Sequence, residues 1–380
     1  MNKAILAVSF GTSYPDTLEK TIAATERALA AAYPDWPAFR AFTSGMIIRK
    51  LQSRDGVHID NVAQAMERLR DAGVTQVAVQ STHVMHGEEY EKMLAQLSPY
   101  RAVMDIAVGA PLLHAQRDYE AVADALLSWL PVPGADEALL LMGHGTEHFA
   151  NAAYAQMEHV LRARCDRIYL ATVEGYPTLD LVLGQLSKRP EIRRLTLAPF
   201  MLVAGDHARN DMAGGEDSWK VQLEHQGYEV SCILKGLGEC PAIQNLFVAH
   251  CGDAMASLPR GGKLYGVGVG PGDPELMTLK AVRVLREADV VMVPGTCKSD
   301  RTALRIAEGY LAGKTVETVE TPMVRDKAVL EKAYETAAEQ IIAHLNRGRQ
   351  VAFLTLGDPT VYSTYMYIHE KVKARGCDVE

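Results

Sequence analysis

Three residues of this chain have side chains suited to a divalent metal, and their surroundings would carry them to one place: His144, Glu174 and His207. Each follows an apolar run. Ala138-Leu139-Leu140-Leu141-Met142 breaks off into Gly143-His144-Gly145. Ile168-Tyr169-Leu170-Ala171-Thr172-Val173 leads into Glu174-Gly175. The run that begins at Leu195 ends in Gly205-Asp206-His207. Apolar runs without polar alternation read as strands buried on both faces, as in a parallel sheet. Glycine at such an end lets the backbone turn sharply. The carboxyl ends of parallel strands line one edge, where open α/β sheets bind ligands. Two imidazoles and a carboxylate form a borderline nitrogen/oxygen donor set suited to Zn2+, Co2+, Ni2+ or Fe2+. Three protein ligands leave coordination positions open, the condition of a catalytic metal rather than a structural one. A single histidine after a strand would more simply cap a turn; the shared placement of three donors is what argues for a site.

The elements that must position them form a pattern that runs twice. Ala4–Phe10 reads as a strand, Asp16–Ala32 as a helix and Phe39–Thr43 as a second strand. A helix then carries Met46, Ile47, Ile48 and Leu51, with Arg49, Lys50 and Arg54 on its polar side. Val62–Ala72 is amphipathic, Val74–Gln80 is a third strand opening into a loop with His83, His86 and Glu89, and Ile106–Ala110 is a fourth. The pattern then restarts. Leu139–Gly145 answers Val8–Gly11, Ile168–Gly175 answers Phe39–Gly45, Leu195–His207 answers Val77–Glu89, and Val230–Gly236 answers Ile106–Ala110. Strand–helix alternation predicts parallel sheets covered by helices, and the repetition predicts two similar α/β lobes, about 1–130 and 131–258. In this alignment His144 falls opposite Phe10, Glu174 opposite Ser44, and His207 opposite Glu89, so Glu89 is expected to face the same cleft.

Ser257–Lys263 has the small, Pro and Gly composition of a linker. Beyond it Leu264–Pro274 is a strand running into a Gly/Pro loop. Helices are expected over Thr278–Ala288, Arg301–Leu311 and Leu330–Asn346, and strands over Val290–Val293, Val316–Glu320 and Val351–Leu356, the last ending in Gly357-Asp358-Pro359.

Composition removes several classes. With 48% hydrophobic and 23% charged residues the chain reads as a soluble globular protein. No apolar run approaches the ~20 residues of a membrane span, and the amino terminus lacks the features of a signal peptide. Six scattered cysteines without a CxxC pair argue against structural zinc and fit reduced thiols in a cytoplasmic protein. A net charge of −8 gives no support for nucleic-acid binding and would repel a polyanionic small molecule. Such a substrate would need local cations, for which Arg49, Lys50, Arg54 and Arg209 are the candidates. The sequence leaves a homo-oligomer open.

These residues also carry a resemblance. Ser9-Phe10-Gly11-Thr12-Ser13-Tyr14, Phe42–Leu51, Gly143-His144-Gly145 and Leu202–His207 resemble the cobaltochelatases of anaerobic cobalamin synthesis, class II chelatases related to ferrochelatase. Over residues 1 to about 255 this implies a bilobal fold with a tetrapyrrole cleft and insertion of Co2+ into sirohydrochlorin. It also implies His144, Glu174 and His207 as metal ligands, His144, His207 and Glu89 as the catalytic groups, and no nucleotide requirement. A polycarboxylate substrate suits the local cations, and loss of two pyrrole protons suits neutral imidazoles and a carboxylate. In the tail, Gly266–Pro274 and Leu356–Tyr365 resemble the tetrapyrrole methyltransferases, specifically the C20-methyltransferases of precorrin-2 or cobalt-factor II. That implies S-adenosylmethionine as cofactor, with Gly270, Gly272, Asp273, Gly357, Asp358, Pro359 and Tyr362 at its site. Residues 264–380 would form the N-terminal subdomain of such an enzyme, a partial α/β domain that ends where the second subdomain is expected to begin. A cobalt or nickel carrier and a ferrochelatase-type sirohydrochlorin chelatase are the alternatives. A nucleotide-dependent oxidoreductase lacks a GxGxxG with an acidic residue in register.

Overall fold

The computed structural model describes residues 3–258, 261–295, 302–322, 324–361 and 363–380. The chain divides into two compact units, Met1–Leu258 and Pro259–Glu380. Within the first unit, strands β1 (Lys3–Ser9), β2 (Ala38–Phe42), β3 (Gln76–Ser81) and β4 (Asp105–Gly109) form one sheet in the order β2-β1-β3-β4. Strands β5 (Glu137–Gly143), β6 (Ile168–Thr172), β7 (Arg194–Pro199) and β8 (Glu229–Cys232) form another in the order β6-β5-β7-β8. All pairings are parallel and the two orders are the same, so the unit is two equivalent α/β lobes, as the repeated sequence pattern implied.

The central strands explain the unbroken apolar runs. β1 and β5 are buried at six of seven positions each, on both faces. In the second lobe Leu139 and Leu141 pack with Tyr154, Met157 and Leu161, while Leu140 and Met142 pack on the opposite face with Val182, Met212 and Trp219. Truncating one such side chain, Leu141→Ala for instance, would cost about 2–5 kcal/mol by leaving a cavity.

The lobes are laced together by exchanged helices. Gln116–Trp129, which follows β4, places Tyr119, Val122 and Leu126 in the core of the second lobe. Pro241–Ser257, which follows β8, returns Cys251 and Ala254 to the first lobe against Ile5, Ala7 and Ala78. The boundary near residue 130 read from the sequence therefore falls after a helix whose packing lies in the second lobe. The amphipathic stripe of a helix shows that it packs, but not on which of two similar sheets. The helix expected over Asp16–Ala32 is also two pieces, Pro15–Lys20 and Ile22–Ala32, broken at Thr21.

The second unit holds one parallel sheet, β11-β10-β12-β9-β13, from β9 (Lys263–Gly268), β10 (Val290–Gly295), β11 (Thr315–Glu320), β12 (Val351–Thr355) and β13 (Asp378–Val379). Val267, Val291 and Leu354 pack beneath Leu279–Glu287, and Leu264, Val351 and Phe353 pack beneath Lys327–Leu345 on the other face. The helix expected over Arg301–Leu311 is a helix over Thr302–Ala307 followed by a 3-10 turn over Glu308–Tyr310; Arg301 lies outside the described residues. No helix among the described residues is long and apolar enough to cross a membrane.

Candidate metal centre

In the second sheet β5 lies between β6 and β7, so the three loops carrying His144, Glu174 and His207 leave adjacent strands at the same edge. The β5–β6 ladder continues past the strands. Val173 N donates to Gly143 O at 3.1 Å and Glu174 N to His144 O at 2.8 Å, which fixes Glu174 beside His144. The first lobe repeats these bonds: Thr43 N donates to Ser9 O at 2.9 Å and Ser44 N to Phe10 O at 3.2 Å. The equivalence of His144 with Phe10 and of Glu174 with Ser44 is thus a matter of register, and these two positions in the first lobe offer no metal donor set.

Two glycines permit this closeness. A Cβ on Gly143 would lie 2.5 Å from the buried Tyr154 ring. Gly145 has φ +84°, and a Cβ there would lie 2.5 Å from Gly175 N and 2.9 Å from Glu174 C. Asn151 ties the same loops: its Oδ1 accepts from Thr146 N at 3.1 Å and its Nδ2 donates to Tyr176 O at 2.6 Å.

One donor atom from each of His144, Glu174 and His207 lies within 4.8 Å of the others. The imidazoles stand edge to face, 4.6 Å between centroids at 90°. His144 Nδ1 lies 2.8 Å from Gly145 O, and His207 Nδ1 lies 2.6 Å from Asp211 Oδ2. Neither oxygen has a proton to give, so each Nδ1 donates and each Nε2 keeps its lone pair for a metal. The side chains are 45%, 59% and 32% exposed in the order His144, Glu174, His207, so an ion held there is open to solvent and to a second ligand. That fits a metal that comes and goes.

Glu89 lies in the first turn of the helix Glu88–Leu97, outside this donor set. Burial pushes its carboxyl up, but Lys92 at 2.6 Å, the Thr43 hydroxyl and the neighbouring His83 bring it below the ordinary range. His83 is pushed down to about 4 by burial, and its Nδ1 contacts Ser81 Oγ at 2.8 Å. Among the four candidate cations, Arg54 is paired with Asp55 and donates to Ser13 O at 2.6 Å. Arg209 is paired with Asp16 at 2.7 Å and lies over the Tyr14 ring. Arg49 and Lys50 are exposed, and no ion pair to either is found among the described residues. Asp211, Asn151 and Tyr154 escaped the sequence reading; the spacing of four between His207 and Asp211 was the one signal available.

In the second unit the two glycine loops meet. Gly357 N donates to Gly270 O at 3.1 Å, and a Cβ on Gly268 would lie 2.3 Å from Gly357 O. Asp273 and Asp358 cap the turns, accepting from Glu275 N at 2.9 Å and Thr360 N at 2.8 Å; Pro359 is the residue between Asp358 and Thr360. The space beside Gly272 and Gly357 is open to 4 Å, a backbone wall that a ligand could approach closely. Tyr362 lies outside the described residues.

Residues 3–256 match the cobalt chelatase (CbiK) family. The chain belongs to the cobalt chelatase family. A sirohydrochlorin cobaltochelatase of Salmonella typhimurium is 46% identical over 257 residues, covering 67% of this chain and 97% of that protein. Another, from Nitratidesulfovibrio vulgaris, is 33% identical over 67% of this chain and 92% of its own length. Residues 263–380 match the tetrapyrrole (corrin/porphyrin) methylases. Here a probable cobalt-precorrin-2 C(20)-methyltransferase of Methanocaldococcus jannaschii is 44% identical over 119 residues. The match covers 31% of this chain and 50% of that enzyme, so this cobalt chelatase carries the counterpart of half a methyltransferase.

Proposed function

We propose that this chain inserts Co2+ into sirohydrochlorin in cobalamin biosynthesis, and that residues 1–258 do so with His144, Glu174 and His207 holding the incoming ion. The observation that carries the reading is the convergence of these three donors from adjacent strand ends within 4.8 Å, in a member of the cobalt chelatase family. Insertion replaces two pyrrole N–H protons by one divalent ion, so two protons must be accepted while the metal changes ligands. The Nε2 lone pairs of His144 and His207 hold the metal first and become free to take protons as it leaves. Glu89, whose carboxyl is held below the ordinary range, is in this reading an assisting group contributed by the first lobe. Arg49 and Lys50, exposed and without an ion pair among the described residues, supply the positive charge that a polycarboxylate needs near a protein of net charge −8.

Residues 264–380 are, in this reading, the N-terminal subdomain of a C20-methyltransferase. The open backbone beside Gly272 and Gly357 fits one wall of an S-adenosylmethionine site. The cofactor, when bound, supplies the methyl group. Fusion would place consecutive steps on one chain and raise the local concentration of the intermediate.

The test is a chelation assay on the full chain with Co2+, Fe2+ and Ni2+ in parallel, followed by the visible absorption of the macrocycle. His144→Ala and His207→Ala are each expected to abolish or severely reduce insertion with circular dichroism unchanged. Near-normal turnover in either variant refutes the ligand assignment. Metal binding without any change in macrocycle absorption would make the protein a carrier instead.

A further inference from the structure

The two histidines of the centre are held by unlike partners. His144 Nδ1 rests on the carbonyl of its own neighbour, Gly145 O, at 2.8 Å, a neutral dipole. His207 Nδ1 rests on the Asp211 carboxylate at 2.6 Å. A hydrogen bond to an ionised acceptor is shorter and roughly twice as strong as one to a neutral acceptor.

The local backbone makes that contact. His207 leads directly into a single π-helical turn, Ala208–Met212. Such turns are rare; they appear mostly as single-turn bulges inside α-helices and are frequent at functional sites. This turn is fixed by residues other than Asp211. Ala208 and Met212 are buried in the core of the second lobe. Arg209 reaches the first lobe, with Nη2 2.7 Å from Asp16 Oδ2 and 3.1 Å from Thr17 Oγ1, and its guanidinium lies 4.4 Å from the Tyr14 ring centroid. Asp206 Oδ1 accepts from the Tyr14 hydroxyl at 2.9 Å and from Asn210 Nδ2 at 3.0 Å. Among the described residues, Asp211 makes its hydrogen bond and ion pair with His207 alone. The segment is anchored without Asp211, and Asp211 is spent on the imidazole.

We propose that Asp211 is a positioning residue for the metal: it holds His207 in one tautomer and one ring orientation and strengthens Nε2 as a donor, making His207 the firm anchor and His144 the looser ligand. A carboxylate behind a metal-bound imidazole raises its basicity, and losing such a partner typically costs ~10–100-fold in metal affinity or activity. The asymmetry suits an ion that must be captured from solution and then surrendered to a macrocycle. One ligand retains the ion while another opens a coordination position toward the incoming nitrogens. The inference rests on the assignment of His207 as a ligand.

The experiment is Co2+ titration of the full chain, by calorimetry and by the cobalt absorption bands, with no tetrapyrrole present. Wild type is compared with Asp211→Ala, Asp211→Asn and His207→Ala. Asp211→Ala is expected to weaken Co2+ binding ~10–100-fold. Asp211→Asn keeps an acceptor oxygen without the charge and should fall between the two. In steady-state assays the KM for Co2+ should rise in Asp211→Ala while the KM for sirohydrochlorin stays put. Wild-type Co2+ affinity in Asp211→Ala overturns the proposal, provided His207→Ala has lost affinity. Retention by His207→Ala would refute the ligand assignment itself. Equal weakening toward both substrates together with a lowered melting temperature would show that Asp211 serves only the fold of the turn.

Discussion

Gly145→Ala should part the loops that bring His144 to Glu174. At φ +84° an alanine carries left-handed strain of about 1–2 kcal/mol. Its Cβ would also lie 2.5 Å from Gly175 N and 2.9 Å from both Glu174 C and Thr172 Cβ, where ordinary contact begins near 3.4 Å. Two of these three atoms are backbone, so no side chain can simply swing away. Overpacking of that kind costs a further ~1–3 kcal/mol. Gly73→Ala is the matched control, since Gly73 has φ +75° with nothing within 4 Å of a Cβ. It should show the strain without the collision. All three tryptophans, Trp36, Trp129 and Trp219, lie in the first unit, so their fluorescence reports its melting alone. At roughly 2–4 °C per kcal/mol for a unit of this size, Gly145→Ala should melt several degrees below Gly73→Ala. If the loops instead relax by moving apart, the displacement approaches an ångström, which at a catalytic constellation can cost ~100-fold in turnover. Cobalt affinity and turnover are measured beside the melting curves. Equal melting of the two variants, with wild-type cobalt affinity in Gly145→Ala, would refute the argument that the close approach at Gly145 builds the centre.

Three further outcomes are expected. Neutralising Arg49 and Lys50 together should raise the KM for sirohydrochlorin more than it lowers kcat, with an effect that shrinks in high salt; an unchanged KM at low salt would make them a solvated face. Calorimetry of the 380-residue chain should find S-adenosylmethionine binding weaker than micromolar and no methyl transfer, because it spans only half of the methyltransferase it resembles; micromolar affinity would show this subdomain to be self-sufficient. Burial holds His83 at about 4 against 6.5 for a free imidazole, so the unfolded chain takes up the proton first and stability is lost as pH falls from about 6.5 to about 4. His83→Gln should remove about 1–3 kcal/mol of that loss, discounted for partial solvent access, and an unchanged pH dependence of melting would show that His83 is solvated.

What could be read in the sequence and what could not divide along a physical line. The central strands of the first unit were legible because burial on both faces writes itself locally, as in Ala138–Met142, and because the pattern occurs twice. His144 and Glu174 were legible because each sits one or two residues beyond its strand, where the register of β5 and β6 carries over. Contacts between distant residues leave no such trace. Arg209 and Asp16 are separated by 193 positions, so Arg209 reads as a free cation until the fold shows its partner. The exchange of Gln116–Trp129 and Pro241–Ser257 between lobes is invisible for the same reason.

The π turn after His207 is the instructive case. A helical reading of Ala208–Met212 would also bring positions four apart together, so the spacing of His207 and Asp211 could be seen, but not its meaning. Apart from that spacing, nothing in the sequence sets Asp211 apart among 47 acidic residues. What distinguishes it is that its neighbours do the anchoring: Arg209 and Asp206 bind across to the first lobe, Ala208 and Met212 are buried, and the remaining acid turns to the imidazole. The donors of a metal centre can be guessed from residue types at strand ends. The groups that set how firmly those donors hold an ion appear only when every other side chain nearby has been given its partner.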